Sequence, residues 1–189
     1  AALELAERGL RVALCEKGVI AGEASGRSFG WVDSQFLDPI KMEIIARSKT
    51  LWEKMDARIE GDTGYRKQGL VSLLADDEGV AMAQGWLNSV DGMSGVDARL
   101  VSGNELQVMA PNSSQTWKAG LYQPSDASVE PTMAAPAIAQ GAKKRGAHIL
   151  QGCAVRGLET SGGKVSAVVT EKGTIACQSV VLAAGAWSP

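Results

Sequence analysis

The stretch that most constrains this chain is Arg11 to Ser28, RVALCEKGVIAGEASGRS. Arg11 to Cys15 reads as a short buried strand that ends on an acid, Glu16. Before it, Ala1 to Arg8 has a helical pattern, and Gly9 suits the left-handed cap that closes such a helix. After it comes a loop with Gly18, Gly22 and Gly26 and small polar residues between them. Helix, glycine turn, strand and acid form the second half of a βαβ unit. A carboxylate at the carboxyl end of a parallel strand can accept hydrogen bonds from both hydroxyls of a ribose. The first half of such a unit is a strand and a G-x-G-x-x-G turn. The sequence begins inside the helix instead, and the far end, VVLAAGAWSP, stops where another element should begin. The expectation is an internal piece of a longer protein.

The loop from Ala24 to Trp31, ASGRSFGW, follows the acid. Ser25, Arg27 and Ser28 are donors on a backbone that Gly26 and Gly30 make pliable, which is what a pyrophosphate needs. A solvated Gly/Ser loop has the same spacing, and only the position just after Glu16 favours the phosphate. From Ile40 to Ile59 the apolar residues recur mostly at helical spacing, predicting one long amphipathic helix with Lys and Glu outside. Tyr65 to Leu74 reads as strand, bent at Gly69. Asp76 to Val90 reads as helix, Ala98 to Val101 as strand, and Ser102 with Glu105 fits a capping box. Trp117 to Gln123 is predicted as strand. Ser128 to Gly146 is predicted as helix, with Pro131 in its first turn and Pro136 awkward beyond it.

Four short strands come next, Ala147–Leu150, Ala154–Thr160, Lys164–Thr170 and Thr174–Cys177, with Gly-containing hairpin turns at Ser161–Gly163 and at Lys172–Gly173. Val180 to Ala184 is a continuous apolar run, the mark of a strand buried in a parallel sheet. Cys15, Cys153 and Cys177 have no C-x-x-C or metal spacing. Cys15 and Cys177 suit small buried hydrophobes, and free thiols fit a reducing, cytoplasmic compartment. His148, the one histidine, has no second ligand beside it. A net charge of -2 supplies no basic field, so nucleic acid is excluded as an expected partner. No apolar run is long enough to span a bilayer; peripheral membrane association stays open.

ELAERGLRVALCEKGVIAGEASGRSFGWV resembles the start of the FAD-dependent amino-acid and amine oxidoreductases, the family of D-amino-acid oxidase and dehydrogenase, glycine oxidase and sarcosine oxidase. VSAVVTEKGTIACQSVVLAAGAWS resembles the later FAD-domain segment of that family, and SDASVEPTMAAPAIAQGAKKRGAHIL extends the likeness. The resemblance implies an α/β fold: a Rossmann-like, three-layer FAD domain lacking its first strand, from residues 1–39 and 123–189. An α+β substrate module, 40–122, interrupts it.

The resemblance places Glu16 and Lys17 at the adenosine ribose. It places Ser25, Gly26, Arg27 and Ser28 along the pyrophosphate, and the backbone of Val155 at the adenine. On periodicity alone Val155 would be an ordinary core valine. Ala184, Gly185 and Trp187 fall at the strand end beside the cofactor. The implied activity is oxidation of the C–N bond of an amino acid or secondary amine, by hydride transfer to the flavin. No general-base constellation is visible; Arg66 and Arg99 are candidates for a substrate carboxylate by residue type alone. Another Rossmann-type oxidoreductase, including one acting on hydroxy acids, and a cofactor-free remnant are the alternatives.

Overall fold

The structure is a computed structural model. It describes residues 1–188, apart from the side chain of Trp187. Its helices are α1 (Ala2–Glu7), α2 (Met42–Glu53), α3 (Met55–Ile59), α4 (Asp77–Ser89), α5 (Gly103–Met109) and α6 (Pro131–Lys144). Its strands are β1 (Ala13–Cys15), β2 (Trp31–Val32), β3 (Leu70–Leu74), β4 (Arg99–Val101), β5 (Ala119–Gln123), β6 (Ala127–Ser128), β7 (His148–Leu150), β8 (Val155–Ser161), β9 (Lys164–Thr170) and β10 (Gly173–Ala176). They gather into two compact units, residues 1–22 with 139–188, and Glu23–Ile138.

In the first unit α1 closes on Gly9 at φ +77°. The Gly9 N–H bonds to the Ala6 carbonyl and the Leu10 N–H to the Leu5 carbonyl, the paired bonds of a Schellman cap. The chain then enters β1, which runs parallel to β7 with Leu14 opposite Ile149. Strands β8, β9 and β10 form an antiparallel meander. Its first hairpin turns through Gly162 and Gly163, both at positive φ, as a two-residue turn between Ser161 and Lys164 requires.

In the second unit β5 is the centre of a three-stranded antiparallel sheet, with β3 and β4 on its two sides. Met42, Leu74, Ala83, Trp86, Val90, Ala119 and Leu121 form the buried core from α2, α4 and this sheet. Gly120 is needed there, because a Cβ would lie 2.7 Å from Val71 Cγ2 and 2.8 Å from Leu106 Cδ1. Asp76 caps α4, its carboxylate accepting from the Gly79 N–H at 2.9 Å. The short β2 pairs antiparallel with β6.

Several expectations fail for physical reasons. The helix predicted over Ile40–Ile59 breaks at Lys54 into α2 and α3, after a 3-10 turn at Pro39–Lys41. Ile40, Ile44 and Leu51 are exposed, whereas Lys49 is buried. Ser102 stands at the N-cap of α5 but makes no side-chain capping bond, and the Glu105 carboxylate pairs with the Arg99 guanidinium. Helix α6 starts at Pro131, not Ser128, since Ser128 pairs in β6; the helix then runs through Pro136. Cys15 and Cys177 are only half-buried, and Cys153 is the buried one. Val180–Ala184 forms no strand, and Val181 and Leu182 are exposed. An apolar run becomes a strand only when a neighbour supplies ladder partners, and none among the described residues does. Val155 is half exposed at the start of β8, not a core residue.

Candidate functional site

In the first unit the site is built at the carboxyl end of β1. The parallel ladder continues one step past the strand, as the Glu16 N–H bonds to the Leu150 carbonyl at 2.8 Å. The Glu16 carboxylate turns back on its own loop and accepts from the Gly18 N–H at 2.7 Å. One carboxylate oxygen is thereby oriented, and with several lone pairs available the group retains capacity for a diol. The Glu16 carbonyl accepts from the Cys153 N–H at 2.9 Å, which ties this loop to a segment two residues from Val155. Gly152 donates to the Gly18 carbonyl at 2.9 Å, and Gln151 Oε1 accepts from the Ile20 N–H at 2.8 Å. The structure thus brings Glu16 and the start of β8 together. Gln151, absent from the sequence reading, is a second clamp on the loop; a polar residue just after a strand was its only signal.

Lys17 is exposed beside Glu16. Ala184 and Gly185 are also exposed, in a turn where Gly185 has φ +55° with open space on its Cβ side. Trp187 ends that 3-10 turn by its backbone, and its side chain lies outside the described residues. Burial, then the neighbouring Cys153 thiol, pushes the Cys15 thiol up from its ordinary value. The Cys15 thiol is therefore not an activated nucleophile.

In the second unit Ser25, Gly26 and Arg27 lie in a 3-10 turn, Ala24–Arg27, and Ser28 leaves it extended. Arg27 is exposed and faces Glu23 at 3.9 Å. The Ser28 hydroxyl accepts from the Gly30 N–H at 3.2 Å. Gly30 has φ +73°, and a Cβ on it would stand 2.2 Å from the Val129 carbonyl oxygen. That close approach fixes the exit of the loop into β2. A short turn with Ser and Arg donors and glycines beside them fits an anionic group.

The chemistry that the sequence did not reveal is buried next to this loop. Lys49 Nζ pairs with Asp126 Oδ1 at 2.8 Å, with side-chain exposures of 7% and 0%. The ammonium also donates to Ser125 Oγ at 2.7 Å, and Ser34 donates its hydroxyl to Asp126 at 2.9 Å. Asp33, one residue before Ser34, has its carboxyl pushed up from its ordinary value. Burial is the first cause and the Asp126 charge the second, while its own backbone amide and Lys49 pull the other way. A cavity of about 270 Å³ lies here, lined by Ser28, Trp31, Asp33, Ile45, Lys49 and Trp52 among others. Arg99 and Arg66, named by type alone, are engaged locally: Arg99 with Glu105, and Arg66 with the Tyr65 carbonyl at 2.7 Å.

Among the described residues no group of His, Cys, Asp and Glu could hold a metal ion, and no helix is long and apolar enough to cross a membrane.

These features can be set beside known proteins. The chain is 29% identical over 180 residues to the sarcosine oxidase subunit beta of Rhizobium meliloti, covering 92% of this chain and 42% of that protein. It is 28% identical over 193 residues to the glycine oxidase of Geobacillus kaustophilus, covering 98% of this chain and 51% of that one. Among solved structures, L-amino acid deaminase from Proteus myxofaciens, in complex with anthranilate, superposes with a TM-score of 0.91 at 40% identity. That match covers 99% of this chain and 43% of the deaminase. The chain therefore spans about half the length of the relatives it matches. The profile of the FAD dependent oxidoreductase (DAO) family matches residues 1–189, so the chain belongs to that family of FAD-dependent, α/β enzymes.

Proposed function

We propose that the whole protein oxidises the C–N bond of an amino acid or secondary amine, giving an imine that water then hydrolyses. The observation that carries this reading is the end-to-end family match, joined to relatives whose names specify sarcosine, glycine and L-amino acids as substrates. FAD, when bound, supplies the hydride acceptor; positioning and tuning fall to the protein.

Within this chain the oriented Glu16 carboxylate would take the ribose hydroxyls, with Lys17 beside it and the Val155 backbone at the adenine. Ser25, Gly26, Arg27 and Ser28 would lie along the pyrophosphate, and Ala184, Gly185 and Trp187 would approach from the far end of the chain. The residues fit such a group by chemistry: an acid for a diol, and serine and arginine donors for phosphate. In this reading residues 1–39 and 123–189 are the cofactor domain and 40–122 serve the substrate.

Neutral amines donate hydride and ammonium ions do not, so the reaction rate should rise with pH through a substrate-linked ionisation. The test is anaerobic mixing of the full-length, FAD-loaded protein with amino acids, N-methyl amino acids and hydroxy acids. Bleaching of the flavin absorbance by the amines is expected. Bleaching by hydroxy acids only would overturn the proposal.

A further inference from the structure

We propose that Asp126, paired with Lys49, is a positioning residue for the Ser25–Ser28 loop. It fixes the segment that follows the loop, Gly30–Ser34, and through that segment the direction in which the loop presents its donors. The proposal rests on the reading above in one respect, that the loop lies along a pyrophosphate.

None of the residues in the 3-10 turn Ala24–Arg27 is buried, so the direction of the turn is set from its ends. The exit is stitched to one neighbouring segment. The Val129 N–H bonds to the Gly30 carbonyl at 2.8 Å, and Trp31 and Val32 then lie opposite Ser128 and Ala127. A ladder of two residue pairs is too short to hold a strand by itself. Asp126 extends it with a side chain. Its Oδ2 accepts from the Ser34 N–H at 3.3 Å and its Oδ1 from the Ser34 hydroxyl at 2.9 Å, and both residues are fully buried. Gly30–Ser34 is thereby held at both ends, by Val129 and by Asp126.

Asp126 is itself anchored. Its N–H donates to the Gln123 carbonyl at 3.2 Å and its carbonyl accepts from the Gly69 N–H at 2.9 Å, which fixes its backbone in the turn between β5 and β6. From the other side Lys49 Nζ reaches Asp126 Oδ1 at 2.8 Å and Ser34 Oγ at 3.4 Å. Helix α2, which carries Lys49, packs into the core through Met42. One ammonium therefore touches both members of the Ser34–Asp126 contact. The contact needs a carboxylate, because both oxygens accept at once and an asparagine has one acceptor oxygen. With that oxygen toward Lys49, the asparagine nitrogen would face the Ser34 N–H, donor against donor.

In the test, flavin is stripped from the full-length protein and titrated back. Hydrogen exchange of the apoprotein is read by mass spectrometry over the segments holding Ser34 and Gly69. Asp126→Asn is expected to raise the dissociation constant for FAD about tenfold and to speed exchange at Ser34. Gly69, bonded to the Asp126 backbone, should keep its protection. Ser34→Ala is milder, keeps the Lys49–Asp126 pair and serves alone should Asp126→Asn fail to fold; it should give a smaller loss of affinity. The double variant should lose no more than about twofold beyond Asp126→Asn, because the two residues act through one contact. Leu106→Ala, a buried core change on α5, should lower the urea midpoint yet leave FAD affinity within about twofold. An equal loss of affinity in Leu106→Ala, or additive losses in the double variant, would make the effect one of general stability and overturn the assignment. Affinity lost in Arg27→Ala but kept in Asp126→Asn and Ser34→Ala would also overturn it, and would leave the pyrophosphate reading standing. Faster exchange at Ser34 with affinity unchanged in all three would uphold the anchoring and sink that reading.

Discussion

The Lys49–Asp126 pair offers the sharpest test of the fold around the candidate site. Asp126 is fully buried and accepts from Lys49 Nζ at 2.8 Å and from the Ser34 hydroxyl at 2.9 Å and amide at 3.3 Å. Lys49 in turn donates to Ser125, and more weakly to Ser34 and the Gly95 carbonyl at 3.4 Å. Asp126→Asn keeps the shape and most acceptor geometry but leaves the lysine charge in the interior without its counter-charge. Removing one partner of such a buried pair costs about 3–5 kcal/mol. A domain is typically stable by about 5–15 kcal/mol, so the loss is a large fraction of the whole. With a urea slope of about 2 kcal/mol per molar, a loss of 4 kcal/mol moves the midpoint down by about 2 M.

Lys49→Met should cost a similar amount, because it leaves a buried carboxylate held only by Ser34. The double variant restores neutrality and should be less destabilised than the sum, by about 2 kcal/mol of coupling. Urea unfolding of the four proteins, followed by circular dichroism, measures all terms. Single variants within about 0.5 kcal/mol of the parent, together with additive behaviour in the double, would refute the reasoning.

Other outcomes follow from the same geometry. Glu16→Ala in the full-length protein should weaken FAD retention about tenfold or more, since a charge-assisted bond is worth about 1.5–3 kcal/mol; equilibrium dialysis of flavin would show it. Gly30→Ala should be severely destabilising, because the new Cβ would sit 2.2 Å from the Val129 oxygen at a φ of +73°; a thermal melt unchanged from the parent would contradict this. Asp33 has a folded pKa raised by burial and by Asp126, so its contribution to stability is present in full below its unfolded value, near 3.8, and is lost as pH rises through the folded value. The stability of the parent relative to Asp33→Asn should therefore fall as pH climbs from that unfolded value toward neutrality, which paired urea titrations can follow.

How much of this was legible depends on how far apart the determining partners stand in the chain. The Gly9 cap, the Gly162–Gly163 hairpin and the acid ending β1 are set by residues a few positions away, and local pattern found each of them. Helix α2 was harder, because it carries two apolar stripes. Met42 and Ile45 lie on one side, Ile44 and Leu51 on a second side about 140° away at helical spacing. Periodicity alone cannot say which stripe meets the sheet, and a lysine one heptad on from Met42 looks like an interruption. It is instead part of the buried face, since its partner Asp126 lies 77 residues away. The same holds for Gly30, whose obligatory glycine is explained only by the Val129 oxygen. Val180–Ala184 makes the converse point: an intrinsically strand-like run remains exposed when no ladder reaches it. Residue type announces what a segment can do; the counter-charge, the close carbonyl or the neighbouring strand decides whether it does so, and those partners are supplied by the fold.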